Sequence, residues 1–332
     1  MAFEIIKPGT KIDFLGQWRL WVGLSIALVV GGLVCAIPAV RGVHFGVDFA
    51  GGAEMHVKFA SGVAVSDGTI RSALATLEVP LESLQVVNFG SESDFLVRFQ
   101  GERAIAGSGQ LNSAVTEKTD RVLAVQGALE RTIGPLSVER VEFVGPKVGN
   151  ELRNRGLQSM GLAFLLILAY VAFRFSASFA PGAVIALIHD VLVTSSIWVM
   201  LGLEFDLNVL AALLAIIGYS LNDTIIIYDR VRENMELHTG AEIKSLLNQS
   251  VNQTLSRTAL TALISLGAVL SLLIAGGPAI RGFAGAMTIG TVVGTYSTIF
   301  IAAPMVMWLE TRRRKSAKQV PKAAAKAGAK KR

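Results

Sequence analysis

Six long apolar runs, separated by polar stretches, dominate the pattern of hydrophobic and polar positions in this 332-residue chain. Each run approaches the ~20 residues that an α-helix needs to cross a bilayer at about 1.5 Å rise per residue. The first run is too long for a signal sequence and lacks a cleavage site, so we expect it to be retained as a span. The pattern predicts six transmembrane helices, at about residues 18–39, 157–175, 179–203, 207–228, 258–280 and 282–308. The last five are expected to form a bundle over 157–308.

The distribution of Lys and Arg predicts how the chain crosses the membrane. If the spans alternate in direction, all the flanking basic residues fall on one side, and positively charged flanks mark the cytoplasmic side. These residues are Lys7, Lys11, Arg19, Arg174, Arg230, Arg232, Lys244 and those of the C-terminal tail. We therefore expect residues 1–17 and 309–332 to be cytoplasmic and residues 40–156 to form a periplasmic domain with its connecting segments. The charged segment at about 229–254 predicts an amphipathic helix along the cytoplasmic surface.

The external segment contains strand-like alternation and helix-like periodicity in turn. GGAEMHVKFA alternates as a strand, and SDGTIRSALATLEV predicts a helix that starts with Ser66 as its cap. SLQVVNFG and DFLVRFQ predict a hairpin across SES, followed by a helix at about 111–133 and a strand, LSVERVEFV. The order βαββαβ predicts a ferredoxin-like α+β domain. This fold hosts many functions and therefore assigns none.

Composition supports an integral membrane protein, since 52% of the residues are hydrophobic and 17% are charged. The tail from Arg312 to Arg332 holds ten of the 31 basic residues, and the rest of the chain has 21 basic and 25 acidic residues. This distribution argues against nucleic-acid binding and predicts a disordered cytoplasmic tail near anionic headgroups or a ribosome-like partner. The single cysteine, Cys35, excludes a disulfide framework or cysteine metal site from this chain alone. We expect neither a metal nor a cofactor.

Three ionisable residues lie within apolar context: Asp190, Asp223 and Arg257. A charge inside a span is costly unless it is paired, neutralised or used. Asp190 lies eleven residues into the third predicted span, roughly 16 Å deep and near the midplane. With its neighbour His189 it could form a proton relay or a helix contact site, or it could be a buried polar pair hydrogen-bonded to another helix. The sequence leaves these alternatives open.

Asp223 and Arg257 are predicted to lie at similar depth, because both are close to the turn that joins the fourth and fifth spans. Pairing would offset much of the desolvation of each charge. Protonation of the Asp would leave the Arg uncompensated, so the pair could act as a proton switch. A static ion pair and a snorkelling Arg without a partner are the alternatives. Small polar groups that could hold water nearby are Asn222, Ser220, Thr224 and Ser256.

Three separated motifs resemble the SecF family of the bacterial Sec protein-export machinery. They are HFGVDFAGG after the first span, VEFVGPKVGNEL before the second, and GYSLNDTIIIYDRVREN in the fourth. The resemblance extends from about Phe14 to Glu310. Family members are similar to one half of a resistance-nodulation-division (RND) transporter, which has two repeats of six spans. The resemblance implies a polytopic α-helical protein of the bacterial inner membrane, with six transmembrane helices, one periplasmic ferredoxin-like domain and no enzymatic activity.

The resemblance also implies partners and a function. The implied partners are SecD, the SecYEG translocon, YajC, YidC and the emerging preprotein. Together with SecD, such a subunit uses the proton-motive force to promote late steps of preprotein export across the inner membrane. Two other functions stay open: a half-transporter that exports a small molecule or lipid, and a non-transporting scaffold of the translocon.

Site residues follow from matching the motifs position by position. Asp223 of SLND matches the family's membrane carboxylate, and Arg257 of LSRT matches the basic residue of the following span. Asp190 of LIHD also matches a family position. With Asn222 beside Asp223, these residues form the expected proton-coupling site, which SecD would complete with a further carboxylate.

Two further motifs are expected to have structural roles. Asp48, Gly51 and Gly52 of DFAGG should shape the turn from the first span into the external domain, because Gly permits backbone conformations that other residues resist. Gly145 and Pro146 begin GPKVGNELRNRG, which joins the last strand to the second span. We expect this segment to act as a lever between the domain and the membrane.

Overall fold

The structure is a computed structural model that describes residues 9–60, 65–75, 77, 82–88, 93–100, 111–175 and 179–313. The first eight residues, the tail from residue 314 onward and part of the predicted SES turn lie outside the described residues. In chain order, the elements are α1 (Trp18–Ala36), α2 (Val47–Ala50), β1 (Gly52–Phe59), α3 (Asp67–Leu74), β2 (Glu82–Asn88), β3 (Asp94–Gln100), α4 (Leu111–Thr132), β4 (Leu136–Val144), α5 (Pro146–Arg174), α6 (Ala180–Met200), α7 (Leu207–Leu237), α8 (Ile243–Ala275) and α9 (Pro278–Ser297).

Among the described residues, the helices long and apolar enough to cross a membrane are α1 and α5 to α9, which confirms the predicted number of six. Their ends follow from local chemistry. Asp206 caps α7 by accepting a hydrogen bond from the N–H of Val209 at 2.8 Å. Directly after Gly145, Pro146 starts α5, where a missing N–H costs nothing. This helix is therefore longer than the predicted span 157–175.

The polar segment 229–254 is not the separate surface helix that its pattern predicted. Its first part extends α7 to Leu237, and its second part begins α8 at Ile243. The turn between them contains Gly240 with φ of +96°, a conformation that favours glycine. Apolar side chains buried in this helical hairpin are Ile227, Val231, Leu246 and Leu247. The apolar face that predicted contact with the bilayer surface is thus buried within the protein.

The residues between α2 and α5 form the predicted ferredoxin-like domain. Its four strands have the order β2-β3-β1-β4, and all neighbouring strands are antiparallel. Met55 in β1 pairs with Val97 in β3 and Val141 in β4. The predicted cap of α3 is present, because Ser66 Oγ accepts a hydrogen bond from the N–H of Thr69 at 3.2 Å. One sheet face packs against α3 and α4 in a core that includes Val57, Ile70, Phe95 and Leu129.

The DFAGG motif holds the start of this domain against the membrane bundle. α2 packs against α5 at Gly149, where a Cβ would meet backbone oxygen of α2 at 2.9 Å. Gly51 and Gly52 turn the chain into β1 with φ values of +78° and +134°. Asp48 Oδ2 accepts a hydrogen bond from the N–H of Leu207, the first residue of α7, at 3.0 Å. The motif therefore contacts two spanning helices as well as shaping the turn.

An ionic clasp of Glu54, Arg98 and Glu204 also joins the domain to the bundle. Arg98 Nε donates to Glu54 Oε2 at 2.6 Å, and Arg98 Nη1 donates to Glu204 Oε2 in the α6–α7 connection. The side chains are largely buried: Arg98 is 22% exposed, Glu54 19% and Glu204 16%. Desolvation raises the pKa of Glu204 by more than the charge of Arg98 lowers it.

Removing the cation of the ionic clasp should destabilise the fold more than removing one anion. Arg98→Met leaves two carboxylates without a counter-charge, and we expect the free energy of unfolding to fall by up to about 3 kcal/mol. Glu204→Gln should cost little at neutral pH, because the ionised form of a group whose folded pKa is raised opposes folding. Thermal unfolding of both variants in one detergent measures this difference, and equal losses would contradict it.

Gly32 sets how closely α1 approaches α6. A Cβ at Gly32 would lie 2.3 Å from Ser196 Cβ and 2.5 Å from Ser196 Cα, so the two helices would have to separate. We expect Gly32→Ala to lower the free energy of unfolding by about 1–3 kcal/mol, as overpacking does, and to lower Tm. Gly23→Ala in the same helix is the matched control, because nothing lies within 4 Å of a Cβ there. A similar loss in both variants would argue against the close contact.

Candidate functional site

Asp190 lies in the middle of α6 and is completely buried, with 0% exposure. Its two carboxylate oxygens have different partners. Oδ1 lies 3.0 Å from Nδ1 of His189, and Oδ2 accepts a short hydrogen bond from Ser220 Oγ of α7. Both oxygens are therefore satisfied, as a buried carboxylate requires.

His189 extends this contact to two more helices. Its Nε2 lies 2.8 Å from Ser25 Oγ of α1 and 3.3 Å from the Tyr296 hydroxyl of α9. The two hydroxyls are 3.1 Å apart. When Nδ1 donates to Asp190 Oδ1, Nε2 accepts from one of the hydroxyls. Of the alternatives left by the sequence, the structure shows the polar pair hydrogen-bonded to neighbouring helices, and its connected hydroxyl and imidazole groups would also suit a proton relay.

Asp223 lies one turn after Ser220, on the buried face of α7, and is 1% exposed. Oδ1 accepts a long hydrogen bond from Thr261 Oγ1 of α8 at 3.4 Å. Oδ2 is buried and has no hydrogen-bond partner in the part of the chain that the structure describes. A buried polar atom without a partner carries its full desolvation penalty. Oδ2 is therefore the open position of this site, where a proton or an additional donor would fit.

The predicted direct pairing of Asp223 with Arg257 is not formed. Within the described ranges, no ion pair of 4.0 Å or less joins the two side chains. Arg257 is exposed, but its charge still acts on the carboxylate of Asp223. The predicted depth agrees with the hairpin, since Asp223 lies 17 residues before Gly240 and Arg257 lies 17 residues after it. The two side chains do not pair, because α8 turns Thr261 and not Arg257 toward Asp223.

Asn222 is not part of this buried site. Consecutive helical residues point about 100° apart, so Asn222 faces outward when Asp223 faces inward. Its side chain is exposed and forms no hydrogen bond with the described part of the chain. Ser220 and Thr224 of the same helix are buried, and Thr224 Oγ1 lies 3.3 Å from Thr298 Oγ1 of the neighbouring span. The hydroxyl that contacts the Asp223 carboxylate is that of Thr261.

Sequence reasoning missed a π-helical turn, Thr298–Ala302, through which α9 continues toward Arg313. Such turns often occur at functional sites. Close approach of α9 to α7 is possible because Gly294 lacks a side chain, and a Cβ there would lie 3.1 Å from Ser220 Cβ. The polar partners Ser25, Thr261 and Tyr296 were missed because uncharged hydroxyls are common in spans. Among the described residues, no three His, Cys, Asp or Glu side chains are grouped to hold a metal ion.

Comparisons with known proteins identify relatives of this chain. Residues 124–312 match the family model described as protein export membrane protein SecD/SecF, C-terminal. The protein translocase subunit SecF of Calditerrivibrio nitroreducens is 37% identical over 314 residues, which cover 94% of this chain and 98% of the relative. The protein of the same name from Pseudomonas aeruginosa is 38% identical over 306 residues, covering 92% and 93% of the two chains. The Escherichia coli O157:H7 protein is 35% identical over 311 residues, covering 93% and 92%.

Two solved structures are also similar. The crystal structure of SecDF, a translocon-associated membrane protein from Thermus thermophilus, matches with a TM-score of 0.77 and 31% identity, covering 91% of this chain and 39% of that chain. SecDF in a super-membrane-facing form matches with a TM-score of 0.66 and 30% identity, covering 97% and 41%. This chain therefore spans about two fifths of the SecDF polypeptides. With the family model and the near-full-length relatives, these matches show that the chain belongs to the SecF family of protein-export membrane proteins.

Proposed function

We propose that this chain is a proton-driven accessory subunit of the Sec translocon, which acts with SecD in late steps of preprotein export across the inner membrane. The observation that carries the proposal is Asp223, a buried carboxylate in a spanning helix with one unpartnered oxygen. Ionisable groups inside a membrane are costly and mark ion or proton pathways. The name shared by the relatives, protein translocase subunit SecF, supports a role in moving proteins and not small molecules.

The hydrogen-bonded groups near Asp223 support a route for protons. In order of contact, these groups are Tyr296, Ser25, His189, Asp190 and Ser220. Asp223 follows Ser220 by one helical turn. A proton at Oδ2 would neutralise Asp223 and remove its attraction for Arg257. We infer that α8 then shifts against α7, because the hydrogen bond from Thr261 to a neutral acceptor is weaker.

The surface beside Asp223 supports a partnership with SecD. Arg257 and Asn222 are exposed next to the buried carboxylate, and little of the apolar span of α8 is buried within this chain. In the similar SecDF structures, the matching region is part of a longer polypeptide. We infer that SecD covers this face and supplies a partner for Asp223 Oδ2.

The proposed topology places both termini in the cytoplasm and the ferredoxin-like domain in the periplasm, where it would meet emerging preprotein. SecYEG, YajC and YidC are further proposed partners. The unbroken helix α5, from Pro146 to Arg174, supports the idea that the segment after Gly145 transmits motion between domain and bundle.

Asp223→Asn should abolish the part of export that a proton gradient stimulates, because the amide cannot take up and release a proton as the carboxylate does. Arg257→Met should have the same effect. Export of a preprotein into vesicles containing the variant with SecD and SecYEG, with and without an imposed gradient, measures this. Asp229→Asn is the matched control on the same helix, since Asp229 pairs with Arg174 at 3.0 Å and is 43% exposed. Full stimulation in both site variants would refute the proton role.

A non-transporting scaffold has one observation in its favour, since the Asp190 contacts tie together four helices. Asp190→Asn separates the two functions. The amide can still accept from Ser220 and can donate to His189, so we expect an unchanged Tm. If the site passes protons, gradient-stimulated export is lost despite normal stability. If export stays fully stimulated at the unchanged Tm, Asp190 is only a strut.

A further inference from the structure

A cavity of about 670 Å³ lies between the ferredoxin-like domain and the helix bundle, away from the buried carboxylates. Its walls come from the α1–β1 connection, α3, β2, β3, α5 and the α6–α7 connection. The charged side chains in its lining are Arg71, Arg98, Arg153 and Glu204. With Glu54 of the ionic clasp counted beside Glu204, three cations still outnumber two anions, so the site keeps a net positive charge.

Two of the three arginines retain unused hydrogen-bonding capacity. Arg98 is held by the ionic clasp. Arg71 Nη1 donates to the Leu84 carbonyl at 3.0 Å, and Arg153 Nη2 donates to Asn150 Oδ1 at 3.0 Å. Neither Arg71 nor Arg153 has a carboxylate within 4.0 Å among the described residues. Each guanidinium has five N–H donors, so several donors of both groups are available to an anion.

The cavity lies at the level where lipid headgroups meet the protein. Arg153 precedes the apolar run of α5 by four residues, about 6 Å along the helix axis. Its guanidinium lies 5.9 Å from the ring centroid of Phe45, which is 39% exposed, and aromatic side chains are typical of this level. Further along α5, the exposed apolar side chains are Leu157, Leu162, Leu165 and Leu166. Leu157 follows Arg153 by one turn on the same face of α5, so exposed apolar surface begins next to the cavity.

We propose that this cavity binds the phosphate of an anionic phospholipid from the leaflet on the domain side, with Arg71 and Arg153 as its ligands and the acyl chains starting at Leu157 of α5. Guanidinium groups bind phosphate oxygens through paired N–H donors. The net positive lining favours phosphatidylglycerol over a zwitterionic lipid. An acidic peptide could also pair with the arginines, but it has no acyl chains to occupy the adjoining apolar surface. A lipid bound here adds a further contact between the domain and the bundle, beside the ionic clasp and the DFAGG turn.

Native mass spectrometry of the full chain released from nanodiscs tests the proposal, with phosphatidylglycerol or phosphatidylcholine as the only lipid. We expect retention of phosphatidylglycerol, and about tenfold weaker binding in the double variant Arg71→Gln/Arg153→Gln, because two charge-assisted contacts are lost. Arg155→Gln is the matched control: Arg155 lies two residues further along α5, is exposed and pairs with Glu151 at 2.7 Å. The double variant Arg71→Lys/Arg153→Lys should recover part of the binding, and an unchanged Tm shows that each variant is folded.

Three results would overturn the proposal. Equal losses in the double Gln variant and the Arg155→Gln control would show a nonspecific effect of surface charge. Displacement of the lipid by inorganic phosphate alone would show a site for a soluble anion. Cross-linking of an acidic peptide that depends on both arginines, without lipid retention, would show a peptide site.

Discussion

The carboxylate of Asp190 has to be satisfied in the middle of a membrane helix, and the packing of the bundle depends on how this is done. No water is available at that depth, so each oxygen needs a donor from another side chain. Ser220 supplies one from α7, and His189 joins the other to α1 and α9. Hydrogen bonds of 3 Å between helices require close backbones, which explains glycine at the contacts of α1 with α6 and of α9 with α7.

Asp223 of α7 contrasts with Asp190 of α6. Asp190 has donors on both oxygens, whereas Asp223 has one distant hydroxyl and one open oxygen. A buried carboxylate that is incompletely satisfied responds to any nearby donor or proton. This asymmetry fits the proposed proton response at Asp223, while the contacts of Asp190 join four helices. It also explains why this chain alone is incomplete at Asp223, next to a surface that a partner can cover.

The sequence predicted the features that depend on hydrophobic periodicity and on charged residues that are energetically costly inside a membrane. Six spans, the βαββαβ order and the depth of Asp223 and Arg257 follow from hydrophobic runs, alternation and distance from a turn. The direction of Arg257 could not be predicted, because rotation of α8 about its axis depends on which of its faces packs best against α7 and α9. The same limit hid Ser25, Thr261 and Tyr296, whose hydroxyls matter only through their neighbours in space. The segment 229–254 was predicted to lie on the membrane surface because an amphipathic pattern shows that one helix face is buried. The pattern does not show whether lipid or protein covers that face.

The contacts between domain and bundle suggest that α7 itself transmits changes at Asp223. The N–H of Leu207, the first residue of α7, is held by Asp48 in the turn that leads into the domain. Asp223 lies 16 residues further along the same helix, about 24 Å at helical rise. In the proposed mechanism, a shift of α7 that starts at Asp223 would therefore reach the DFAGG turn through one continuous helix. The segment after Gly145 contacts the same turn, because Gly149 of α5 packs against α2. Both α5 and α7 therefore contact the domain at the DFAGG turn.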